Sequence, residues 1–168
     1  ILSIPNESGK MTCFWEEGAS SGKKPLIICL ADKEEDAQRD LNLLFSQANG
    51  ASVAALVIYP QTEEQIVGDW LYSFRQREDV DENRITLTGT LSAADWVWRL
   101  GSHFPQWFAG ICAVGGYGDP YEVRAMKNVP VRAYLVEEEP KIIRKGKVAV
   151  NVDQLVMSLL TAGSECVE

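Results

Sequence analysis

A chain of 168 residues is long enough for one domain with a real core, and 46% apolar and 24% charged residues are globular rather than disordered or collagen-like. Sixteen basic residues against twenty-four acidic ones leave a net charge of −8, which gives no electrostatic footprint for nucleic acid or an anionic membrane surface. The longest apolar runs, 26–31 and 51–59, fall well short of the ~20 residues that a membrane helix needs. A soluble chain with no membrane span and no nucleic-acid partner is expected.

The elements follow in order. Lys10–Glu16 and Pro25–Ala31 read as two early strands, separated by a Gly/Ser-rich turn at Gly18–Gly22. From Glu34 the period changes: Ala37, Leu41, Leu44, Phe45 and Ala48 share one helical face, and Gly50 ends that helix. Ser52–Tyr59 is a nearly continuous apolar run closed by Pro60, the pattern of a strand buried on both faces. Ile66, Val67, Trp70, Leu71 and Phe74 mark a second helix. Arg84–Thr88 is a short strand ending at Gly89, and Ala94, Val97, Trp98 and Gly101 mark a third helix. Phe108–Val114 is a strand stopped by Gly115-Gly116, and Val131–Val136 is another. Asn151 is placed to cap a last helix with Val152, Leu155, Val156 and Leu159 on its apolar face, ending near Gly163. Ser164–Val167 has the character of one more strand. Strand and helix alternate from residue 25 onward, so the expected fold class is α/β: a single domain over 1–168, with a mostly parallel sheet, helices on both faces and antiparallel first strands. In such folds ligands bind beyond the carboxyl ends of the strands. Here those turns are Ala31–Lys33, Gly89–Asp95, Gly115–Asp119 and Glu137–Pro140.

Metal and cofactor chemistry has little material. The cysteines, Cys13, Cys29, Cys112 and Cys166, form no C-x-x-C pair, and His103 is the single histidine. Cys29 and Cys112 fall inside apolar strand-like runs, where a thiol acts as a small hydrophobe. Asp32, Asp36 and Asp40 share a helical face and read as a solvated one. There is no G-x-G-x-x-G after a strand and no Walker lysine, so no cofactor is expected. Lys141, Arg144, Lys145 and Lys147 read as a solvated basic turn, and Asn6-Glu7-Ser8 fits a glycosylation triplet that occurs by chance. The chain opens at Ile1 without a signal-peptide pattern and reads as a trimmed or mature product whose compartment is unknown.

Five segments carry a resemblance. Asp81-Glu82-Asn83-Arg84-Ile85-Thr86-Leu87-Thr88-Gly89 resembles the strand that precedes the nucleophile in α/β-hydrolases of the esterase and polyhydroxybutyrate-depolymerase type, which includes feruloyl-esterase-like enzymes. Trp98-Arg99-Leu100 with His103 and Pro105 is similar to the end of that family's following helix. Phe108-Ala109-Gly110-Ile111 through Gly115-Gly116 resembles its next strand and turn, and Asn128-Val129-Pro130-Val131-Arg132-Ala133-Tyr134 the strand leading to the acid. Pro25-Leu26-Ile27-Ile28-Cys29-Leu30 resembles the strand that ends in the oxyanion loop. The resemblance covers most of 25–165. It implies a three-layer α/β-hydrolase sandwich and an acyl-ester hydrolase with a Ser-His-acid triad, its serine on a sharp G-x-S-x-G turn.

The implied machinery departs from the pattern at each part. Matched without a gap, Gly89-Thr90-Leu91-Ser92-Ala93 puts Leu91 in the nucleophile position. A one-residue slip, Thr90-Leu91-Ser92-Ala93-Ala94, would put Ser92 there, and Ser92 otherwise reads as an N-cap. The oxyanion-loop position carries Ala31-Asp32 instead of His-Gly, and an aspartate there has the wrong sign for a developing oxyanion. Glu139, before Pro140, falls at the acid position and reads equally as part of an acidic turn. His103 matches a helix-end position remote from the triad, and the family's catalytic histidine would lie beyond Glu168, after a strand that Ser164–Glu168 begins. The catalytic candidates are therefore Ser92 and Glu139, as vestiges. The expected role is a non-catalytic binding or scaffold domain taking a small acyl or carbohydrate ligand or a partner chain. The alternative is a serine carboxylesterase using Ser92 with a histidine outside this chain. An edge strand at 164–168 would also allow a homodimer.

Overall fold

The computed structural model describes residues 2–5, 11–19, 21–136, 142–144 and 147–168. The chain divides into two compact units, Ile1–Thr86 and Leu87–Glu168.

The first unit holds β1 (Leu2–Pro5), β2 (Met11–Glu16), β3 (Lys24–Ala31), α1 (Glu34–Gln47), β4 (Ser52–Ile58), α2 (Glu64–Arg75) and the start of β5 (Val80–Thr90), with strand order β1-β2-β4-β3-β5. The run 52–58 forms the strand buried on both faces that its composition predicts, every residue being out of solvent. It pairs parallel with β3, Cys29 opposite Ala55, and antiparallel with β2, Phe14 opposite Ala55. Alternation along β2 then sorts its side chains. Phe14 joins Ala31, Val53, Ala55 and Val57 under Ala37 and Leu41 of α1. Trp15 faces the other way and meets Phe74 of α2 edge-on at 5.3 Å. The two helices thus cover opposite faces of this part of the sheet. The antiparallel start is as expected, but it comes from β1 with β2 and β2 with β4, and β1 was not anticipated. At the amino end of β3, the Lys24 amide donates to the Asp79 carbonyl at 2.9 Å. Arg77 grips Asp79 through two bonds of 2.9 and 2.8 Å while its guanidinium lies 4.9 Å from the Trp15 ring.

The second unit holds the end of β5, α3 (Ser92–His103), β6 (Gly110–Val114), β7 (Val131–Tyr134), β8 (Ile142–Arg144), β9 (Lys147–Ala149) and α4 (Val152–Thr161). Here β5 is followed by β6 and β7, and β6 pairs parallel with β7. Helix α3 lies close to β6: a Cβ on Gly101 would strike Ile111 Cδ1 and Met126 Sδ, so a larger residue there would have to displace those two side-chain ends. In place of the strand expected from Ser164 there is an isolated parallel bridge of Val167 with Val131 of β7, with Val131 N–H donating to the Cys166 carbonyl at 2.8 Å and Glu168 N–H to the Val131 carbonyl at 2.9 Å.

Several expectations are corrected. Strand β5 runs from Val80 to Thr90 rather than Arg84 to Thr88, because it takes in the exposed polar residues Glu82 and Asn83, whose composition reads as loop. Strand β6 starts at Gly110 rather than Phe108, since 105–107 form a short 3-10 turn. Strand β7 stops at Tyr134 rather than Val136. Helix α1 stops at Gln47, before the Asn49-Gly50 turn. Asn151 does sit at the N-cap of α4, yet its side chain makes no cap bond, and Oδ1 is buried with no hydrogen-bond partner among the described residues. In the basic segment, Arg144 and Lys147 pair across the β8–β9 hairpin; Lys141, Lys145 and the Asn6–Ser8 triplet lie outside the described residues. Among the described residues, no helix is long and apolar enough to cross a membrane.

Candidate functional site

The site begins where β5 becomes α3. Residue 91 has φ 52° and ψ −124°, a combination outside the ordinary regions for a residue with a Cβ. Its amide donates to the Val114 carbonyl at 2.8 Å, and its carbonyl accepts the first helical bond, from Ala94 at 3.0 Å. The chain therefore reverses within one residue. Small neighbours make room for this: a Cβ on Gly89 would come within 2.8 Å of Val97 Cγ2, and one on Gly116, at φ +84°, within 2.7 Å of Ala94 Cβ. This is a sharp strand-to-helix turn of the kind that exposes a nucleophile in α/β-hydrolases.

Its apex is Leu91. The backbone adopts the frame Gly89-Thr90-Leu91-Ser92-Ala93, not the frame slipped by one. Ser92 is instead the first, exposed residue of α3. Nor is Ser92 the N-cap, a position that Leu91 takes without a side-chain bond. The Leu91 side chain is 54% exposed, and nothing on it can attack a carbonyl or move a proton.

Two contacts lock the turn after β6 onto α3. Asp95, only 8% exposed, accepts the Tyr117 amide at 2.7 Å, and the Trp98 indole donates to the Gly115 carbonyl at 3.2 Å. Asp95 escaped sequence reasoning, although an acid four residues after the apex on an otherwise apolar helix face is the signal that would have found it. Gly115 N–H in turn donates to the Tyr134 carbonyl at 2.8 Å, so the carboxyl ends of β5, β6 and β7 stand side by side. Beyond them, Leu91, Tyr134 and Leu135 are all exposed. This end of the second unit offers apolar surface and main-chain groups.

The remaining candidates are scattered. His103 closes α3 at the end away from Leu91, eleven residues past Ser92 and so about 16 Å along the helix axis. There its Nε2 lies 3.3 Å from Glu122 Oε2. Glu139 lies outside the described residues. In the first unit, Ala31 is the buried last residue of β3 and Asp32 follows it, half-buried, in the turn to α1. Asp36 and Asp40 are bridged by Arg39 at 2.8 and 3.0 Å. Among the described residues, no group of three His, Cys, Asp or Glu side chains could hold a metal ion.

No family model and no curated protein matches the sequence. Solved structures do match. A thermostable esterase superposes with a TM-score of 0.76 at 18% identity over 99% of this chain and 52% of its own, so the chain spans about half that protein's length. A protein of Klebsiella pneumoniae subsp. pneumoniae MGH 78578, provisionally named a dienelactone hydrolase, superposes with a TM-score of 0.70 at 18% identity over 99% of this chain and 81% of its own. A glucuronoyl esterase from Solibacter usitatus gives 0.59 at 10% identity over 81% of this chain and 62% of its own. At these identities the likeness speaks to architecture alone. Together with the mixed, mostly parallel sheet, its helices and the reversal at residue 91, it shows that this chain has the α/β-hydrolase fold of esterases and dienelactone hydrolases.

Proposed function

We propose that this chain is a non-hydrolytic member of its fold that binds a small acyl-bearing ligand without forming a bond to it. The observation that carries this reading is Leu91 at the apex of a fully built turn. A branched aliphatic side chain there removes the nucleophile and presents an apolar contact in its place. The placement of His103 at the far end of α3 and the Ala31-Asp32 sequence at the end of β3 both support the reading. A carbohydrate ligand suits an exposed leucine less well than an acyl chain does.

The competing reading, a carboxylesterase working through Ser92, draws on that residue's exposure directly beside the apex. Intact-mass measurement after incubation with a fluorophosphonate separates the two. The folded chain is expected to stay unlabelled while a fluorescent fatty-acid probe binds it reversibly and binds Leu91→Asp more weakly. A stoichiometric adduct mapped to Ser92 would overturn the proposal.

A further inference from the structure

The turn joining α1 to β4 is built on the dipeptide Asn49-Gly50. Asn49 has φ 47° and Gly50 φ 89°, and Ala51 N–H donates to the Ala48 carbonyl across them at 2.9 Å. Positive φ at both central residues of a hydrogen-bonded turn is the type I′ pattern, for which Asn-Gly is a favoured pair. The same pair sets a side-chain amide beside a main-chain nitrogen whose own residue has no Cβ to hinder approach, and asparagine is among the thermally labile residues. The Asn49 side chain stands in solvent.

From this we propose that Asn49 is a site of spontaneous covalent modification. The Gly50 nitrogen attacks Asn49 Cγ. A new C–N bond closes a cyclic imide as the Cγ–Nδ2 bond breaks, and Nδ2 leaves as ammonia with the proton that Gly50 nitrogen gives up. Water then opens the imide. Attack at the side-chain carbonyl leaves aspartate, and attack at the main-chain carbonyl leaves isoaspartate, with the backbone routed through Cβ.

The surroundings make the two products unequal. Either product adds a negative charge just past the carboxyl end of α1, whose last turn carries no basic residue, and an anion is disfavoured there. Isoaspartate lengthens the main chain of a turn that has no slack. Gly18 packs so closely on the Gly50 carbonyl and Ala51 that a Cβ on Gly18 would collide with both, and Gly18 N–H donates to Ser52 Oγ at 3.1 Å. The isoaspartyl form therefore disturbs the entry into β4, the strand at the centre of that core.

The test is peptide mass mapping of the folded full chain during incubation at mildly alkaline pH, with Asn42, Asn83, Asn128 and Asn151 as internal references. Asn49 is expected to lose its amide first, the isoaspartyl fraction to be detected by enzymatic methylation, and that fraction to melt at a lower temperature. Asn49→Gly keeps a residue suited to positive φ and is expected to abolish the early conversion. The proposal is overturned if Asn49 keeps its amide in the folded chain while the same chain in urea converts, or if another asparagine converts first.

Discussion

Exchanging Leu91 for alanine, serine and glycine tests whether the main chain at the apex is forced. All three lose the same partly buried leucine side chain, so the comparison among them isolates the backbone. A residue with a Cβ held at φ 52°, ψ −124° costs about 1–3 kcal/mol, which glycine does not incur. Against this, glycine loses about 0.5–1 kcal/mol more than alanine through chain entropy. Leu91→Gly should therefore exceed Leu91→Ala by about 1 kcal/mol, or about 3 °C in melting temperature for a chain of this size. Helix capping gives a different order, serine at or above glycine and both above alanine, so serine is the decisive variant. Thermal melts followed by circular dichroism read all three. An internal control is Leu43, 56% exposed in the middle of α1, where the order must invert and Leu43→Ala exceed Leu43→Gly by about 1 kcal/mol. If Leu91→Ser or Leu91→Ala equals or surpasses Leu91→Gly, the backbone at 91 is not strained and the turn is held by something else.

Asp95→Ala should lower the urea midpoint by the equivalent of about 1–2 kcal/mol, because the half-buried Tyr117 amide loses its acceptor, while Asp95→Asn keeps an oxygen there and should lose less. The hydrogen bond from Arg77 holds the Asp79 carboxyl below its usual value of 3.8, so its stabilisation is complete above that value and lost as pH falls through the lowered one. Arg77→Met should accordingly flatten that part of the acid-unfolding curve, and an unchanged acid limb would discount the pair. Burial pushes the Cys13 thiol up to about 12 despite the nearby Arg77. Iodoacetamide at neutral pH should therefore alkylate exposed Cys166 first and leave buried Cys13 and Cys29 unmodified until the chain unfolds, as read by peptide mass.

What the sequence discloses depends on whether a feature is local. Ser52–Ile58 and α1 are legible because burial on two faces or on one writes itself as a run or a period. The pairing of β2 with β4 rather than β3 joins strands some forty residues apart, and no local pattern encodes it. Glu82 and Asn83 hid the start of β5 because their side chains are solvated while only their backbone belongs to the sheet. At the site, two overlapping frames of small residues surround Leu91 and Ser92, and composition weighs them alike. The dihedral angles at residue 91 separate them. Asp95 stands out as an acid on an apolar helix face, but its reason is not local: a buried acid is explained by its partner, here a main-chain amide twenty-two residues on.

The turn at Leu91 is held by what flanks it: the glycines at 89 and 116, the alanines at 93 and 94, and a main-chain bond to Val114. None of these involves the side chain at the apex. Position 91 is thus a socket whose shape is indifferent to its occupant, so a hydroxyl, a thiol or a carboxylate installed there by design would meet a mount already in place. Chemistry and framework can be exchanged independently at this point, and the loss of one need leave no mark on the other.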